Sequence, residues 1–238
     1  MSAEHMGGPL FALVHSPLTG PSAWEPVAGA LRGRGLRVAV PTLQEAFAAG
    51  PPYHRAVAAE VGRGLAAQGG AVTLVAHSGA GALLPAVAEA VPGVGGAVFV
   101  DALLPHPGAS WFDTVPAAMR ERLLDLAEGA LLPKWSDWFG PEAMAGLLPD
   151  AEQRARFVAE LPRVPLDYFR ETAPDPRSWP PQRCAYVRLS GAYREQAAEA
   201  ERRGWPVRVL DGDHLSIMTR PDEVAGLIVE AVGLRGRR

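Results

Sequence analysis

A serine in a tight strand-to-helix turn, with a histidine late in the chain, is a pairing of residue types that can activate a hydroxyl as a nucleophile. The segment Val75-Ala76-His77-Ser78-Gly79-Ala80-Gly81 has the required pattern. An apolar run leads into Ser78 and a segment of helical texture leads out of it. Ala76, Gly79 and Ala80 around Ser78 are all small. Small residues are needed there because larger neighbours would collide in so sharp a turn. The turn exposes the serine hydroxyl at the edge of a sheet and aims the next backbone N–H at a developing oxyanion. His214, in Leu210-Asp211-Gly212-Asp213-His214, follows the last apolar run and precedes the last helical one, and no histidine other than it lies beyond residue 106. Serine first and histidine near the end is the chain order this geometry uses. The blander alternatives are a small-residue turn that happens to hold a serine, and a solvated loop histidine beside two carboxylates.

These residues need elements to place them. Short apolar runs bounded by Gly or Pro predict buried parallel strands at Leu10–His15, Leu36–Val40, Ala71–Ala76, Ala97–Val100, Cys184–Leu189 and Pro206–Leu210. Helical texture predicts helices at Ser22–Arg32 with Ser22 as N-cap, Tyr53–Gln68, Gly79–Ala90, Tyr193–Arg203 and about Arg220 to Val232. The alternation implies an α/β fold: a mostly parallel, doubly wound sheet with helices on both faces. Between Pro105 and Pro181 strands are absent and prolines frequent, and four of the six tryptophans fall here. The expected elements are helices at Pro116–Glu128, Ser136–Leu147 and Glu152–Glu160, forming a small lid over the carboxyl ends of the strands. The expected layout is core 1–104, lid 105–181 and core 182–238.

Composition bounds the function. The 238 residues are 48% hydrophobic and 21% charged, as in ordinary globular chains. A net charge of −3 gives no footprint for nucleic acid. The single cysteine, Cys184, excludes an internal disulfide framework and is expected to be an inert core residue. No apolar run reaches the length of about 18 that a membrane span requires. The start MSAEHMGGPL lacks a basic, apolar leader, so a cytoplasmic protein is expected. Lys134 is the only lysine among many arginines, a codon signature expected of a GC-rich bacterial genome. No cofactor is expected, because there is no GxGxxG or P-loop and no cluster with metal-ligand spacing. The expected partner is a small apolar substrate, and the protein is expected to be a monomer or homodimer.

The chain resembles the α/β-hydrolase superfamily over nearly its whole length. The resemblance rests on Val14-His15 after the first strand, the elbow at Ser78, the inserted lid and the late His214. It looks most similar to the small-lid esterases, lactonases and hydroxynitrile lyases. The resemblance implies a Ser–His–acid hydrolase acting without a cofactor on carboxylic esters or related acyl compounds.

Two departures matter. In most members the acid follows the strand placed here at Cys184–Leu189, but Ser190-Gly191-Ala192-Tyr193 holds no carboxylate. Asp101, ending the run Val98-Phe99-Val100, occupies the other position used in the superfamily and is the expected acid. Asp211 and Asp213 are expected to shape the turn. Relatives also carry His-Gly-x after the first strand, with the N–H of x as an oxyanion donor. This chain has His15-Ser16-Pro17-Leu18, and proline has no N–H. The candidate donors are Gly79 N–H with either Leu18 N–H or the Ser16 hydroxyl. A lost donor costs about 3 kcal/mol of transition-state stabilisation in a protease example. That leaves non-hydrolytic chemistry (a lyase, isomerase or cyclase) open, as well as a binding protein with a vestigial triad. Trp111, Trp135, Trp138 and Tyr168 are candidate substrate contacts, with Met119 and Leu123 on weaker grounds. His106 is a candidate pocket residue, while His15 and His77 are expected to be structural.

Overall fold

The computed structural model describes residues 8–233. The elements in chain order are β1 (Leu10–Val14), α1 (Glu25–Gly33), β2 (Arg37–Ala39), α2 (Gln44–Ala48), α3 (Tyr53–Leu65), β3 (Val72–Ser78), α4 (Leu84–Ala90) and β4 (Val94–Ala102). Then come α5 (Trp111–Thr114), α6 (Ala117–Leu126), α7 (Pro141–Leu147), α8 (Ala151–Glu160), β5 (Arg183–Arg188), α9 (Arg194–Arg202), β6 (Val207–Val209), α10 (Ser216–Thr219) and α11 (Pro221–Ala231). The six strands form one parallel sheet in the order β2-β1-β3-β4-β5-β6.

The sheet is covered on both faces, and the pleat of each strand sorts its residues between them. Leu10, Ala12 and Val14 of β1 face one core with Val57 and Val61 of α3 and Val87 of α4. Phe11 and Leu13 face the other, with Val27 and Leu31 of α1 and Val224 and Ile228 of α11. Both faces being dry explains why β1 and the middle of β3 and β4 read as apolar runs rather than alternating ones, while the edge strands β2 and β6 each carry an arginine and stay partly exposed. Each large apolar side chain so buried contributes about 1.5–3 kcal/mol.

The chain runs from β1 outward to β2, then crosses back to place β3 on the other side of β1. That reversal leaves a crevice at the carboxyl ends of β1 and β3, where open α/β sheets bind ligands. The loop with Ser16 leaves β1 there and the Ser78 turn leaves β3 there. Val14 and Ala76 are paired across the two strands, so the two loops emerge side by side.

The expected strands are all present, and β4 is longer than its apolar run because Gly95 and Gly96 extend it. Several helices differ from expectation. Ser22 is not an N-cap: a 3-10 turn spans Pro21–Ala23, and α1 starts only after Trp24. The expected helix at Gly79–Ala90 is a 3-10 turn over Gly79–Leu83 followed by α4, with Pro85 in the first turn of α4. The expected helix at Ser136–Leu147 is broken. Gly140 precedes Pro141 and is extended, as a pre-proline residue prefers. α2 and α5 have only five and four residues, too few to show a helical period.

The segment between β4 and β5 adds no strand to the sheet and is mainly helical. Two carboxylates in its later half reach the core. Glu160, ending α8, accepts the Ser22 backbone N–H at 3.2 Å. Glu171 accepts the Tyr53 and His54 N–H groups at 2.6 and 2.8 Å, capping α3 in place of a side chain from the helix itself. Glu171 also contacts the His54 ring at 2.9 Å. Among the described residues no helix is long and apolar enough to cross a membrane.

Candidate active site

Ser78 ends β3 with φ +57° and ψ −129°. Among the described residues only two non-glycine residues have positive φ, Ser78 and Asp101. Such backbone costs on the order of 1–3 kcal/mol per residue and persists only where the surroundings enforce it. For Ser78 the enforcement is close packing. Ala80 is fully buried, and a Cβ on Gly81 would lie 1.9 Å from the Leu103 carbonyl oxygen. The Leu103 N–H also donates to the Ser78 carbonyl at 3.0 Å, tying the turn to the end of β4.

Asp101 sits one strand over, with no exposed surface. His214 Nδ1 lies 2.8 Å from Asp101 Oδ2, and because a carboxylate can only accept, the ring carries its hydrogen on Nδ1 and leaves Nε2 as the basic nitrogen. The remaining lone pairs of Asp101 are satisfied by the start of the next loop. Leu189 N–H and Ser190 N–H donate to Oδ1 at 2.9 Å each, and Ser190 Oγ donates to Oδ2 at 2.7 Å. Burial alone would raise this carboxyl. The His214, Ser190 and Leu189 donors outweigh it and hold Asp101 ionised well below the usual carboxylate range. The position after β5 that lacks a carboxylate thus supplies donors to the carboxylate on β4.

The loop carrying His214 is shaped as expected by its own acid residue. Asp213 Oδ1 accepts Leu215 N–H at 2.8 Å, and Asp213 N–H donates to Ser216 Oγ at 3.0 Å. Beneath it lies His77, whose Nε2–H donates to the His214 carbonyl at 2.9 Å and whose ring stacks on the His214 ring with centres 4.4 Å apart. Burial, with the neighbouring His214, pushes the His77 pKa far down, so this ring is neutral and packs rather than titrates. His15 is also buried neutral, lowered to about 4 by desolvation. It accepts Leu43 N–H at 3.1 Å and braces the Ser16 carbonyl at 2.9 Å.

The loop that holds the expected oxyanion donors is organised around Ser16. Leu18 N–H donates to Ser16 Oγ at 3.3 Å, so the Leu18 donor is engaged within its own loop. A Cβ on Gly79 would lie 3.4 Å from Ser16 Oγ and from Pro17 Cδ, so the Ser16 hydroxyl borders the backbone that follows Ser78. Having accepted from Leu18, that hydroxyl keeps its own proton to donate. Gly79 opens the 3-10 turn, where the first N–H groups have no partner within the turn.

Ser78, Ser16 and His214 open into a cavity of about 400 Å³. Trp111, Trp135, Trp138 and Tyr168 line it, as do Met119 and Leu123. Trp135 also meets the His214 ring edge-on with centres 6.2 Å apart. His106 is not part of this wall. Its Nδ1 bonds the Ala109 carbonyl at 3.0 Å, which holds the ring in its own turn; the expectation that it faces the pocket is corrected accordingly. Among the described residues no group of three or more His, Cys, Asp or Glu could hold a metal ion. Cys184 is buried and its thiol pushed up to about 12 by desolvation.

The model of the alpha/beta hydrolase family matches residues 11–227. The chain belongs to the alpha/beta hydrolase family. No curated protein matches it. Among solved structures, this family member is similar to an extracellular alpha/beta-hydrolase from a Paenibacillus species, at 21% identity and TM-score 0.70, covering 97% of this chain and 100% of that one. It is similar to a pyrethroid hydrolase from Sphingobium faniae at 20% identity and TM-score 0.68, covering 94% and 97%. It is also similar to tomato methylketone synthase I at 17% identity and TM-score 0.70, covering 94% and 97%. At these identities the likeness is one of fold.

Three residues of this hydrolase-family site escape a reading of the sequence. Ser190 is the first of the residues that replace the usual acid, and only the folded chain shows that it faces Asp101. Arg122, on α6, borders the cavity with its guanidinium 5.5 Å from the centre of the Phe139 ring. Tyr193 borders it too, with its hydroxyl 3.4 Å from Ser78 Oγ. The signal for Tyr193 was its place three residues past Ser190, in the vacant acid loop.

Proposed function

We propose that the protein is a serine hydrolase acting on a small or medium apolar carboxylic ester, lactone or thioester, with residues 105–181 as a lid over the cavity. Ser78 Oγ attacks the acyl carbon. His214 Nε2 takes the hydroxyl proton and then gives it to the leaving oxygen or sulfur. Asp101 fixes the imidazole tautomer and stabilises the imidazolium. Gly79 N–H and the Ser16 hydroxyl hold the oxyanion. Water, activated by the same imidazole, hydrolyses the acyl-enzyme.

The observation that carries this reading is the 2.8 Å His214–Asp101 bond on the same cavity wall as the strained Ser78 turn. Apolar lining over most of that cavity supports an apolar acyl or alcohol group. The test is exposure of the pure protein to a fluorophosphonate probe beside the Ser78→Ala variant, with the adduct located by mass spectrometry. A fast adduct on Ser78, absent from the variant, is expected. A folded protein that admits the probe and forms no adduct would sink the acyl-transfer reading.

Pro17 favours a second reading. With no backbone donor at that position, a lyase, isomerase or cyclase could use His214 as base and Ser78 as a polar relay, since such reactions ask less of an oxyanion hole. That enzyme would be impaired by Ser78→Ala yet form no acyl-enzyme with generic esters. A vestigial triad that only binds ligand has less support, since Asp101 is held by donors on both oxygens and fixes the His214 ring through Nδ1.

A further inference from the structure

Tyr193 closes the 3-10 turn Gly191–Tyr193 after β5, just before α9. Its ring lies parallel to the His214 imidazole, with centres 5.1 Å apart and planes 6° from coplanar orientation. Its hydroxyl lies 3.4 Å from Ser78 Oγ. One side chain therefore touches both the base and the nucleophile. Among the described residues Tyr193 is the hydrogen-bond partner of Ser78 Oγ. The start of the Tyr193 turn is held to the triad as well, because Leu189 and Ser190 both donate to Asp101. The carboxylate that orients His214 thereby also positions Tyr193.

We infer that Tyr193 is a catalytic residue whose phenolic O–H donates to Ser78 Oγ while negative charge is on that oxygen. The inference rests on the hydrolase reading above. The direction of donation follows from proton counting. Ser78 has one hydroxyl proton, and in the attack it passes to His214 Nε2 as the Oγ–carbon bond forms and the carbonyl π pair moves onto the carbonyl oxygen. Oγ then has no proton to give, so a hydrogen bond between the two oxygens runs from tyrosine to serine. In the second half-reaction a water gives a proton to His214 Nε2 as its oxygen adds to the acyl carbon; the carbon–Oγ bond then breaks, Oγ leaves with the electron pair, and His214 gives it that proton. The same phenol stabilises Oγ as it departs. Burial, partly offset by the Ser78 hydrogen bond and reinforced by the Asp101 charge, pushes the Tyr193 phenol up to about 12, so it stays protonated at neutral pH and remains a donor. The resting separation of 3.4 Å is long for a bond between hydroxyls, and it shortens as charge builds on the acceptor.

The test uses Tyr193→Phe, which keeps the ring over His214 and removes only the hydroxyl. Hydrolysis of p-nitrophenyl butyrate is compared with the wild type and Ser78→Ala, with folding checked by circular dichroism and thermal melting. The expected result is kcat lowered about ten- to a hundredfold, the range for losing a donor to a charged acceptor, with KM within about twofold. Replacing Tyr193 by 3-fluorotyrosine, which keeps shape and raises phenol acidity, should change kcat again while leaving KM and the melting temperature unmoved. Wild-type kcat in Tyr193→Phe, or a fluorotyrosine enzyme indistinguishable from wild type, would overturn the assignment and leave the hydrolase reading standing, provided Ser78→Ala is inactive. If Ser78→Ala hydrolyses the ester as fast as wild type, the hydrolase reading itself fails and the role of Tyr193 falls with it.

Discussion

Ser190 Oγ donates to Asp101 Oδ2 at 2.7 Å, and the same carboxylate oxygen receives His214 Nδ1 at 2.8 Å. A loop without an acid of its own thus supports an acid on the neighbouring strand. Ser190→Ala removes one neutral donor and leaves the two backbone donors to Oδ1. The expected effect on kcat/KM is a fall of about ten- to a hundredfold, from a hydrogen bond to a charged acceptor worth about 1.5–3 kcal/mol. Steady-state kinetics on any hydrolysed ester would show it, and an unchanged value would mean the serine is only a turn residue.

Asp101→Asn should be far more severe, on the order of 10⁴-fold in kcat, because an amide no longer holds the imidazole in the required tautomer or balances its charge. The same variant has a pH signature. The folded-state pKa of Asp101 is depressed, so its ionised form stabilises the fold at and above the ordinary carboxylate range, and that contribution is lost as pH falls through the lower folded value. Wild type should therefore exceed Asp101→Asn in stability by most near pH 7, with the gap narrowing on acidification. Urea unfolding of both proteins across that range tests the sign.

Ser16→Ala should lower kcat about 10²- to 10³-fold, as loss of one oxyanion donor does elsewhere. Pro17→Gly in that background returns a backbone N–H and should recover part of the rate. A Ser16→Ala enzyme with normal kcat would place the second donor elsewhere.

Gly81→Ala places a methyl group 1.9 Å from a backbone carbonyl oxygen at the end of β4. Backbone cannot yield as a flexible side chain can, so the expected loss is about 3 kcal/mol, or failure to fold, at the upper end for overpacking. Gly140→Ala, with nothing within contact of the added carbon, is the control. Thermal melts of the two should differ by several degrees.

The central strands could be read from the sequence because they are apolar runs with two dry faces, while the edge strands β2 and β6 are three residues long and each holds an arginine. Ser78 and His214 could be read because their signals are local: small neighbours for one, a short loop between a strand and a helix for the other. Asp101 was readable only as a strand-end carboxylate facing an empty alternative. For Tyr193 the sequence offered only its place in the vacant acid loop, because its contacts with His214 and Ser78 join separate loops and no local pattern encodes them. The expectation for His106 failed on a local contact instead, the carbonyl three residues on that holds the ring in its own turn. Helix starts were misjudged where 3-10 turns precede them, at Pro21–Ala23 and Gly79–Leu83, because the residue types suit either helix.

Glu160 and Glu171 fix the later half of the inserted segment to the first turns of two core elements. The earlier half carries Met119 and Leu124 on α6, 43% and 40% exposed, and Phe139 follows at 44%. α6 thus lies away from these two carboxylate ties and is held to the core by its buried Leu123. On the proposed reading, substrate and product pass on the α6 side. Changes of guest preference can accumulate there one residue at a time, while the fastened side keeps Tyr168 and Phe169 in register with the triad.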